Sequence, residues 1–313
     1  MQQGTPDESA MREQDLLNHI EQRSRSLAGR FGIVVPPGDD CAAIQTSAGI
    51  QLLTVDHLIE GRHYLPSATP EQIAHKAVAR SVSDIAAMGG TPVIALATAA
   101  MKRNDQRANA IFDAMHEAAL RMECPLVGGD IAMYDETLHE GAPTMFTVTV
   151  VGNAHPMRGP VLRSTATPDD GVYVTGKIGS SFKTDHHLTF TPRVREAKQL
   201  CDQLGNALHA MIDISDGLGI DAGRVAMASG VAIELDAVAI PLRVSGQDPV
   251  EAVGNGEDYE LLLTANDEIA SRLITDVPLT RIGRVVDGTL GTVHLRIENN
   301  MVAVHCRGWD HGV

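Results

Sequence analysis

Several aspartates of this chain stand where a run of apolar residues ends. Asp56 closes the run that begins at Leu52, and Asp130 closes the sequence LVGGD. Asp213 and Asp216 lie within MIDISDG, at a predicted junction between a strand and a helix. Carboxylate oxygens are hard ligands that select Mg²⁺, Ca²⁺ or Mn²⁺. If folding brings these residues together, the chemistry they favour is the binding of divalent cations together with phosphate groups.

Asp84 is the most informative of these acids, because its neighbours on the predicted helix are small or apolar. They include Ala77, Ser81, Ala87 and Met88, so the carboxylate lies on a face that is expected to pack inward. Two carboxylates ~4 Å apart repel each other by roughly 4 kcal/mol at an effective dielectric constant of about 20. A cluster of three or four therefore needs protons or bound cations.

Glycine-rich stretches supply the second half of the prediction. VGGD, VTGKIGSS and GNGEDYE allow the backbone to approach a ligand, and their N–H groups can bind phosphate oxygens. No stretch matches the P-loop pattern, and no GxGxxG sequence opens a helix after a strand. The residues alone are also compatible with acids that lie in separate turns and form no common site. Asp39 and Asp40 suit a Pro-Gly turn, and Ser215 or Asp216 could cap the helix that follows.

The elements that must position these acids alternate between helix and strand. Apolar periodicity predicts helices over 14–31, 70–88, 105–122, 191–205 and 217–229. It predicts strands over 50–56, 93–101, 144–152, 209–215, 230–238, 258–265 and 292–298, and a strand that runs into a turn over 171–179. CPLVGGD predicts a short strand that runs into a turn. This order indicates an α/β fold or α+β layers, and a Pro- and Gly-rich break near 153–169 predicts two domains, 1–155 and 156–313.

The overall composition excludes several classes of protein. The net charge of −15 argues against nucleic acid or an anionic membrane as the main partner. No apolar run approaches the roughly 20 residues that span a bilayer, and the polar N-terminus lacks an apolar signal segment, so a cytoplasmic location is expected. The four cysteines are far apart and contain no CxxC pair, which favours reduced thiols.

Seven short sequences occur in an order that resembles a known family. They are GDDCAAI, TVDHLIEGRHY, SVSDIAAMGGTP, VGGD, LRSTATPDDGVYVTG, MIDISDGL and GNGEDYELLLT. The pattern is similar to thiamine-monophosphate kinase, of the superfamily that includes aminoimidazole ribonucleotide synthetase and selenophosphate synthetase. The match extends from about Gly38 to the C-terminal GWDH. It implies a two-domain synthetase-like fold, with a dimerising N-terminal mixed sheet and a C-terminal α/β domain.

The resemblance also implies a reaction and the residues that serve it. The family transfers the γ-phosphoryl group of ATP to thiamine monophosphate with the help of several Mg²⁺ ions, and it acts as a homodimer with ATP near the interface. The implied Mg²⁺ ligands are Asp40, Thr54, Asp56, Asp84, Asp130, Asp213 and Asp216. The implied ATP-binding residues are Gly129, Asp130, Arg163 and Ser215. The implied substrate-binding residues are His63, Glu257 and Trp309.

The acceptor implied by this resemblance is a phosphate oxygen that is already anionic near neutral pH. Direct in-line transfer is therefore expected, without a nucleophile from the protein. Two alternatives remain at this point: an ATP-dependent enzyme of the same superfamily that acts on another phosphorylated heterocycle, and a non-catalytic cation-binding protein.

The sequence departs from the family pattern near the substrate. Asn255 stands where the family usually has glycine before GED, and no aromatic residue follows the histidine of GWDH. SSFKTDHHLTF differs from the usual glycine- and leucine-rich segment, and its two histidines, His186 and His187, are predicted to lie at the surface. These departures affect the expected substrate pocket more than the expected metal site.

Overall fold

The computed structural model describes residues 13–135, 137, 141–273 and 275–308. The helices in this part of the chain are α1 (Glu13–Ser24), α2 (Pro70–Ala87), α3 (Ala108–Arg121), α4 (Val194–Leu204), α5 (Leu218–Ser229), α6 (Pro249–Ala252) and α7 (Asp267–Ala270). The strands are β1 (Ile33–Val35), β2 (Ala42–Thr46), β3 (Gly49–Ile59), β4 (Thr91–Lys102), β5 (Leu126–Tyr134), β6 (Met145–Asn153), β7 (Gly171–Thr175), β8 (Leu208–Asp213), β9 (Ala232–Asp236), β10 (Leu261–Ala265), β11 (Leu279–Val286), β12 (Val293–Ile297) and β13 (Asn300–Ala303). They form two sheets with helices packed against them, so the predicted α/β fold is confirmed.

The first sheet is mixed and contains six strands in the order β1-β2-β3-β6-β4-β5. Strands β4 and β5 are parallel, and the other neighbours are antiparallel. Strand β6 alternates between buried and half-buried residues, and Phe146, Val148 and Val150 join the core that α2 and α3 cover. This alternation is typical of a strand with one face on a hydrophobic core.

The second sheet contains seven strands in the order β13-β12-β9-β11-β7-β10-β8. Its strands are antiparallel except for the pair β12 and β9. Val172, Val174, Ile212 and Leu262 are buried in one core, in which Val225 of α5 also lies. Each sheet therefore has its own hydrophobic core.

Helix α2 lies between the two halves of the molecule. It begins with a capping box, in which the Gln72 N–H donates to Thr69 Oγ1 (3.3 Å) and the Thr69 N–H donates to Gln72 Oε1 (2.9 Å). Val82 packs in the core of the first sheet, whereas Ala86 and Ala87 pack in a cluster with residues of α4 and β8. Because the helix is buried on both sides, Ser83 and Asp84 near its end lie at the junction of the two domains.

The start of α5 excludes one alternative that the sequence left open. Neither Ser215 nor Asp216 caps the helix, because the N-cap residue is Gly217 and no side chain binds the helix end there. Instead, the carboxylate of Asp221 accepts hydrogen bonds from the N–H groups of Asp216 (3.0 Å) and Gly217 (3.1 Å). The side chain of Ser215 therefore does not serve as a helix cap, and that of Asp216 pairs with Arg224 instead. The helix ends at Gly230, whose φ of +70° is typical of a glycine C-cap.

The face of the first sheet that lies opposite α2 is exposed in the single chain. One row across this face contains Val55, Thr149, Leu96 and Gly128, which are paired in register. Val55 is 61% exposed and Leu96 is 42% exposed. An exposed apolar sheet face of this kind indicates an interaction surface. Among the described helices, none combines the length and hydropathy needed to cross a bilayer.

Candidate functional site

Three of the predicted metal ligands meet at the junction of the two domains. Asp40 lies in the loop before β2, Asp84 lies near the end of α2, and Asp213 is the last residue of β8. One oxygen from each carboxylate lies within 4.8 Å of the other two. The carboxylate cluster, as these three residues are called below, therefore joins residues that are far apart in the sequence.

Each member of the carboxylate cluster is held by a hydrogen bond. The hydroxyl group of Thr54 donates to Asp84, and Ser83 Oγ donates to Asp213 Oδ2 at 2.6 Å. Arg163 forms an ion pair with Asp40, and its Nε donates to Asp40 Oδ2 at 3.2 Å. These contacts fix the orientation of the carboxylates, and they explain why Thr54 and Arg163 lie beside them.

The electrostatics of the cluster require a cation or protons. Burial raises the pKa of Asp84 well above the ordinary aspartate value, and Asp56 and Asp213 raise it further. Burial and Asp40 raise the pKa of Asp213 in the same way. Burial and Asp40 also raise the pKa of Asp39 to about 7, although Arg163 opposes this shift. Converging carboxylate oxygens of this kind match the ligand preference of Mg²⁺, so the residues present fit that ion.

A pH dependence follows from these raised pKa values. Above pH 3.8, the unfolded chain releases protons that the folded metal-free protein retains up to about pH 7 at Asp39. The free energy of unfolding of the metal-free protein is therefore expected to fall as the pH rises through this range. Thermal melts with a chelator would measure the fall, and Asp213→Asn should make it shallower. An unchanged slope in that variant would contradict the assigned electrostatics.

Asp56 lies beside the carboxylate cluster, and Asp216 follows Asp213 by three residues in the loop before α5. Asp56 is two residues after Thr54 on β3, so both side chains point to the same face of the sheet. The predicted strand end at Asp56 is wrong, because β3 continues to Ile59. Asp216 forms an ion pair with Arg224 at 2.6 Å. Both acids line one cavity of about 1450 Å³.

The cavity adjoins the carboxylate cluster through Asp56 and Arg163, and residues of both domains line it. Its lining includes Arg163 and Ser215, which were predicted to bind a nucleotide, and His63 and Glu257, which were predicted to bind a substrate. Glycine residues also line it at positions 38, 256 and 291. The volume is large enough for two small ligands, because single-ligand pockets commonly measure about 300–1,000 Å³.

Asp130 is not brought to the carboxylate cluster within one chain. The predicted turn at VGGD is wrong, because β5 continues through it to Tyr134 as an edge strand. Asp130 pairs with Thr98, which pairs with Thr147 opposite His57, so this row lies on the exposed face of the sheet. The side chain of Asp130 therefore points away from α2.

The spacing of the strands shows how far Asp130 lies from the cluster. Three strand intervals separate Asp130 from β3, or about 14 Å. Its neighbour Gly129 has no room for a side chain, because a Cβ atom there would collide with the carbonyl group of Ala97. The VGGD segment is therefore accessible to another molecule but too far from the carboxylate cluster of its own chain to contact it.

Comparison with known proteins identifies the family. The family model for the N-terminal domain of AIR synthase related protein matches residues 38–154, and the C-terminal model matches residues 168–296. A thiamine-monophosphate kinase of Rhodopirellula baltica is 32% identical over 96% of this chain and 97% of its own length. The chain belongs to the thiamine-monophosphate kinase family. A thiamine-monophosphate kinase of Bacillus subtilis is 31% identical over 96% of this chain and 99% of its own length.

Solved structures of the thiamine-monophosphate kinase family share the fold. The structure of AaThiL complexed with AMPPCP and TMP has a TM-score of 0.76 and 27% sequence identity, and the match covers 93% of this chain and 96% of that chain. A hydrogenase maturation protein HypE in complex with ATP has a TM-score of 0.69 at 16% identity, and it covers 92% of this chain and 91% of that chain. The latter likeness shows the fold alone.

Two residues that this thiamine-monophosphate kinase family pattern assigns to the substrate are linked by a buried lysine. Lys76 of α2 is fully buried, donates to the carbonyl oxygen of His63 at 2.6 Å, and forms an ion pair with Glu257. Burial lowers the pKa of Lys76 to about 8, although Glu257 opposes this shift. The N–H of Glu257 also donates to the Ser215 carbonyl oxygen at 2.7 Å. The two predicted ligand-binding regions are therefore connected.

The sequence departures lie around this linkage. The Asn255 side-chain oxygen accepts hydrogen bonds from the Ser180 N–H (2.9 Å) and from Gln247 Nε2 (2.8 Å), so it holds the segment that follows β7. The surface prediction for His187 is wrong, because His187 is buried and its ring centroid lies 4.3 Å from that of Phe182. His186 is half-buried and lies 3.0 Å from the carbonyl oxygen of Asp258. Trp309 lies outside the described residues.

Two charged residues of α2 were not predicted as part of the site. Lys76, Arg80 and Asp84 are spaced four residues apart, so they lie on one face of the helix. Arg80 lines the cavity, and the charged group of Lys76 contacts Glu257 in its wall. The four-residue spacing of charges on an otherwise apolar helix was the sequence signal that could have revealed them.

Proposed function

We propose that this chain transfers the γ-phosphoryl group of ATP to thiamine monophosphate and releases thiamine diphosphate and ADP. The observation that carries the proposal is the carboxylate cluster beside Arg163, which lines the same cavity as His63 and Glu257. Family membership supplies the identity of the two substrates.

The metal-binding part of the proposal concerns Mg²⁺. The ion would be held by Asp40, Asp84 and Asp213, with Thr54, Asp56 and Asp216 beside them. Bound Mg²⁺ neutralises charge on phosphate oxygens and so allows two anions to approach each other. The carboxylates would hold the positive charge of the ion at the junction of the domains. Hydrogen bonds from Thr54, Ser83 and Arg163 fix the orientation of Asp84, Asp213 and Asp40, respectively.

The proposed transfer is direct and in-line. The attacking oxygen belongs to a phosphate group that is anionic near neutral pH, so no general base is needed. Arg163 supplies a fixed positive charge beside Asp40, and Ser215 and the backbone at Gly129 are proposed to contact the nucleotide. Labelled ATP is therefore expected to leave no covalently bound phosphate on the protein.

Glu257 is proposed to face the positively charged ring system of the substrate, with His63 on the same side of the cavity. Trp309 is kept as a proposed third contact. In Glu257→Gln, we expect KM for thiamine monophosphate to rise about tenfold, because one charge interaction of about 1.4 kcal/mol is lost. KM for ATP should stay near the wild-type value in a steady-state assay. Glu251→Gln, an exposed change on α6, is the control, and an equal effect of both variants would contradict this assignment.

The exposed sheet face is proposed to form a homodimer. Two copies that pack these faces with the two-fold axis along the strands place the β5 edge of one copy beside the β1 edge of the other. The loop that carries Asp40 follows β1, so Gly129 and Asp130 of one copy would reach the carboxylate cluster of the other. The domain boundary near residue 155 and the cytoplasmic location remain predictions.

The experiment that tests the function measures ADP release with Mg²⁺, ATP and a panel of phosphorylated heterocycles. Thiamine monophosphate should give the largest kcat/KM, and chromatography should identify thiamine diphosphate as the product. Turnover with another heterocyclic monophosphate but not with thiamine monophosphate would support a different substrate. Calorimetry that shows Mg²⁺ binding without any effect of ATP would support a non-catalytic cation-binding protein.

A further inference from the structure

Arg80 is a charged residue in the wall of the cavity. It lies on α2 one turn before Asp84 of the carboxylate cluster and one turn after Lys76, which contacts Glu257. The face that carries these three residues is about 12 Å long, because each residue adds about 1.5 Å along the helix. Arg80 is therefore midway between the proposed metal end and the proposed ring-binding end of the cavity.

The guanidinium group of Arg80 has buried donors without partners. Its Nε and Nη1 atoms are out of contact with solvent and have no hydrogen-bond partner among the described residues. Its Nη2 lies 3.7 Å from Asp56 Oδ1, which is too long for a hydrogen bond. The side chain is 13% exposed. Buried N–H groups of native proteins are nearly always satisfied, so these donors indicate a ligand that the chain alone does not supply.

The charge of Arg80 is secure despite this burial. Burial alone would lower the pKa of the guanidinium group, but Tyr259, Asp56 and Glu257 more than offset it and raise the pKa. A planar guanidinium group with free donors is suited to bind two oxygens of a phosphate group at once.

We propose that Arg80 binds the phosphate group of the acceptor substrate through its guanidinium group and thereby makes the cavity specific for a phosphorylated acceptor. The inference rests on the proposed function. With the ring of the acceptor near Glu257 and the phosphates of ATP at the carboxylate cluster, the phosphate monoester must lie between them, opposite Arg80. Arg80 then holds the attacking oxygen in line and offsets the repulsion between the two phosphate groups.

The test compares an acceptor that has a phosphate group with one that lacks it. In Arg80→Met, KM for thiamine monophosphate should rise about 100-fold, since a lost charge-assisted bidentate contact has a large effect. The inhibition constant of thiamine, which lacks the phosphate, and KM for ATP should each change less than about threefold. Arg80→Lys retains the charge without the planar pair of donors, so its effect should be intermediate.

Two controls separate this role from a structural one. Arg107→Met removes an ion-paired arginine of the same domain that does not line the cavity, so it should leave all three constants unchanged. If Arg80→Met weakens thiamine and thiamine monophosphate equally, Arg80 is a structural partner of Asp56 and the proposal is overturned. If Arg80→Met does not fold, Arg80→Lys decides the question: its KM for thiamine monophosphate should rise more than its inhibition constant for thiamine.

The failure of this proposal can be distinguished from the failure of the proposed function. One outcome is that the wild-type protein phosphorylates thiamine monophosphate while the Arg80 variants keep the wild-type ratio of KM for thiamine monophosphate to the inhibition constant of thiamine. That result overturns only the role of Arg80. A wild-type protein that neither binds nor phosphorylates thiamine monophosphate overturns both.

Discussion

Asp84→Asn is expected to reduce kcat by a factor of about 10³ or more while the metal-free protein becomes more stable. The loss of activity follows because Asp84 supplies one of three carboxylates whose oxygens lie within 4.8 Å of one another. The gain in stability follows because the same carboxylate is buried beside Asp56 and Asp213, which oppose its ionisation. A single amide substitution should therefore have opposite effects on activity and stability, as strained functional sites commonly do.

Two measurements check this prediction. Thermal melts in the presence of a chelator should show a higher Tm for Asp84→Asn than for wild type, by a few degrees. Added Mg²⁺ and ATP should raise the Tm of the wild type and have little effect on the variant. Near-normal turnover would show that Asp84 is not a ligand, and a large fall in the metal-free Tm would show that its role is structural.

Asp105→Asn is the matched control for Asp84→Asn. Hydrogen bonds from Arg107 lower the pKa of Asp105 below its ordinary value, so its charge stabilises the folded protein above that value. The amide should lower the Tm and leave turnover unchanged, because Asp105 does not line the cavity. The two substitutions should therefore shift the Tm in opposite directions.

The fold was predictable where local sequence and tertiary packing agree. The helix predicted over 70–88 is α2 (Pro70–Ala87), because a capping box, a proline at its start and Gly89 at its end all indicate the same limits. The strand predicted over 144–152 is β6 (Met145–Asn153), whose alternation matches its one buried face. In both elements, the sequence carries the periodicity that the core requires.

Elements whose partners lie far away in the sequence were not predictable in the same way. Strand β11 (Leu279–Val286) was not predicted, because Gly283 interrupts its pattern. The structure explains the glycine: a Cβ atom there would collide with the carbonyl group of Glu234 on the neighbouring strand. The VGGD segment was predicted to turn because it also contains glycines, yet pairing with β4 keeps it extended.

The sequence indicated which residues could bind a metal but not how they are arranged. Asp213 was identified from its position at the end of an apolar segment, Asp84 from its apolar helix face, and Asp40 only from the family resemblance, and the fold brings the three together. Asp130 satisfied the same criterion as Asp213 but lies on the opposite face of the sheet. Which face a strand residue occupies depends on register, and register depends on pairing partners that a single sequence does not specify.

Mixing two inactive variants, Asp130→Asn and Asp84→Asn, is expected to restore about one quarter of the wild-type activity. In a mixed dimer, the chain with intact Asp84 receives an intact Asp130 from the partner subunit. One of the two sites of the dimer is therefore complete, and the other lacks both residues. Random exchange makes half of the dimers mixed, which gives the expected quarter. The reason is the position of Asp130 on the exposed sheet face, about 14 Å from β3 within its own chain.

The measurement is ADP release after the two variants are co-expressed, or unfolded together and refolded. Each variant alone should retain no more than about 10⁻³ of wild-type turnover. A mixture of Asp84→Asn with Asp213→Asn is the matched control, because both residues belong to the cluster of one chain and every site in the mixed dimer stays defective. Its activity should not rise above that of the separate variants.

The outcomes of the mixing experiment distinguish three arrangements of the site. Recovery in the first mixture alone places Asp130 in the site of the other subunit, and it also requires the sheet faces to pair. Full activity of Asp130→Asn by itself would remove Asp130 from the metal site. Two inactive variants that never complement each other would mean that Asp130 acts on its own chain. That result would require β5 to move away from β4, because the parallel pairing from Ala95 to Lys102 holds Asp130 on the far face.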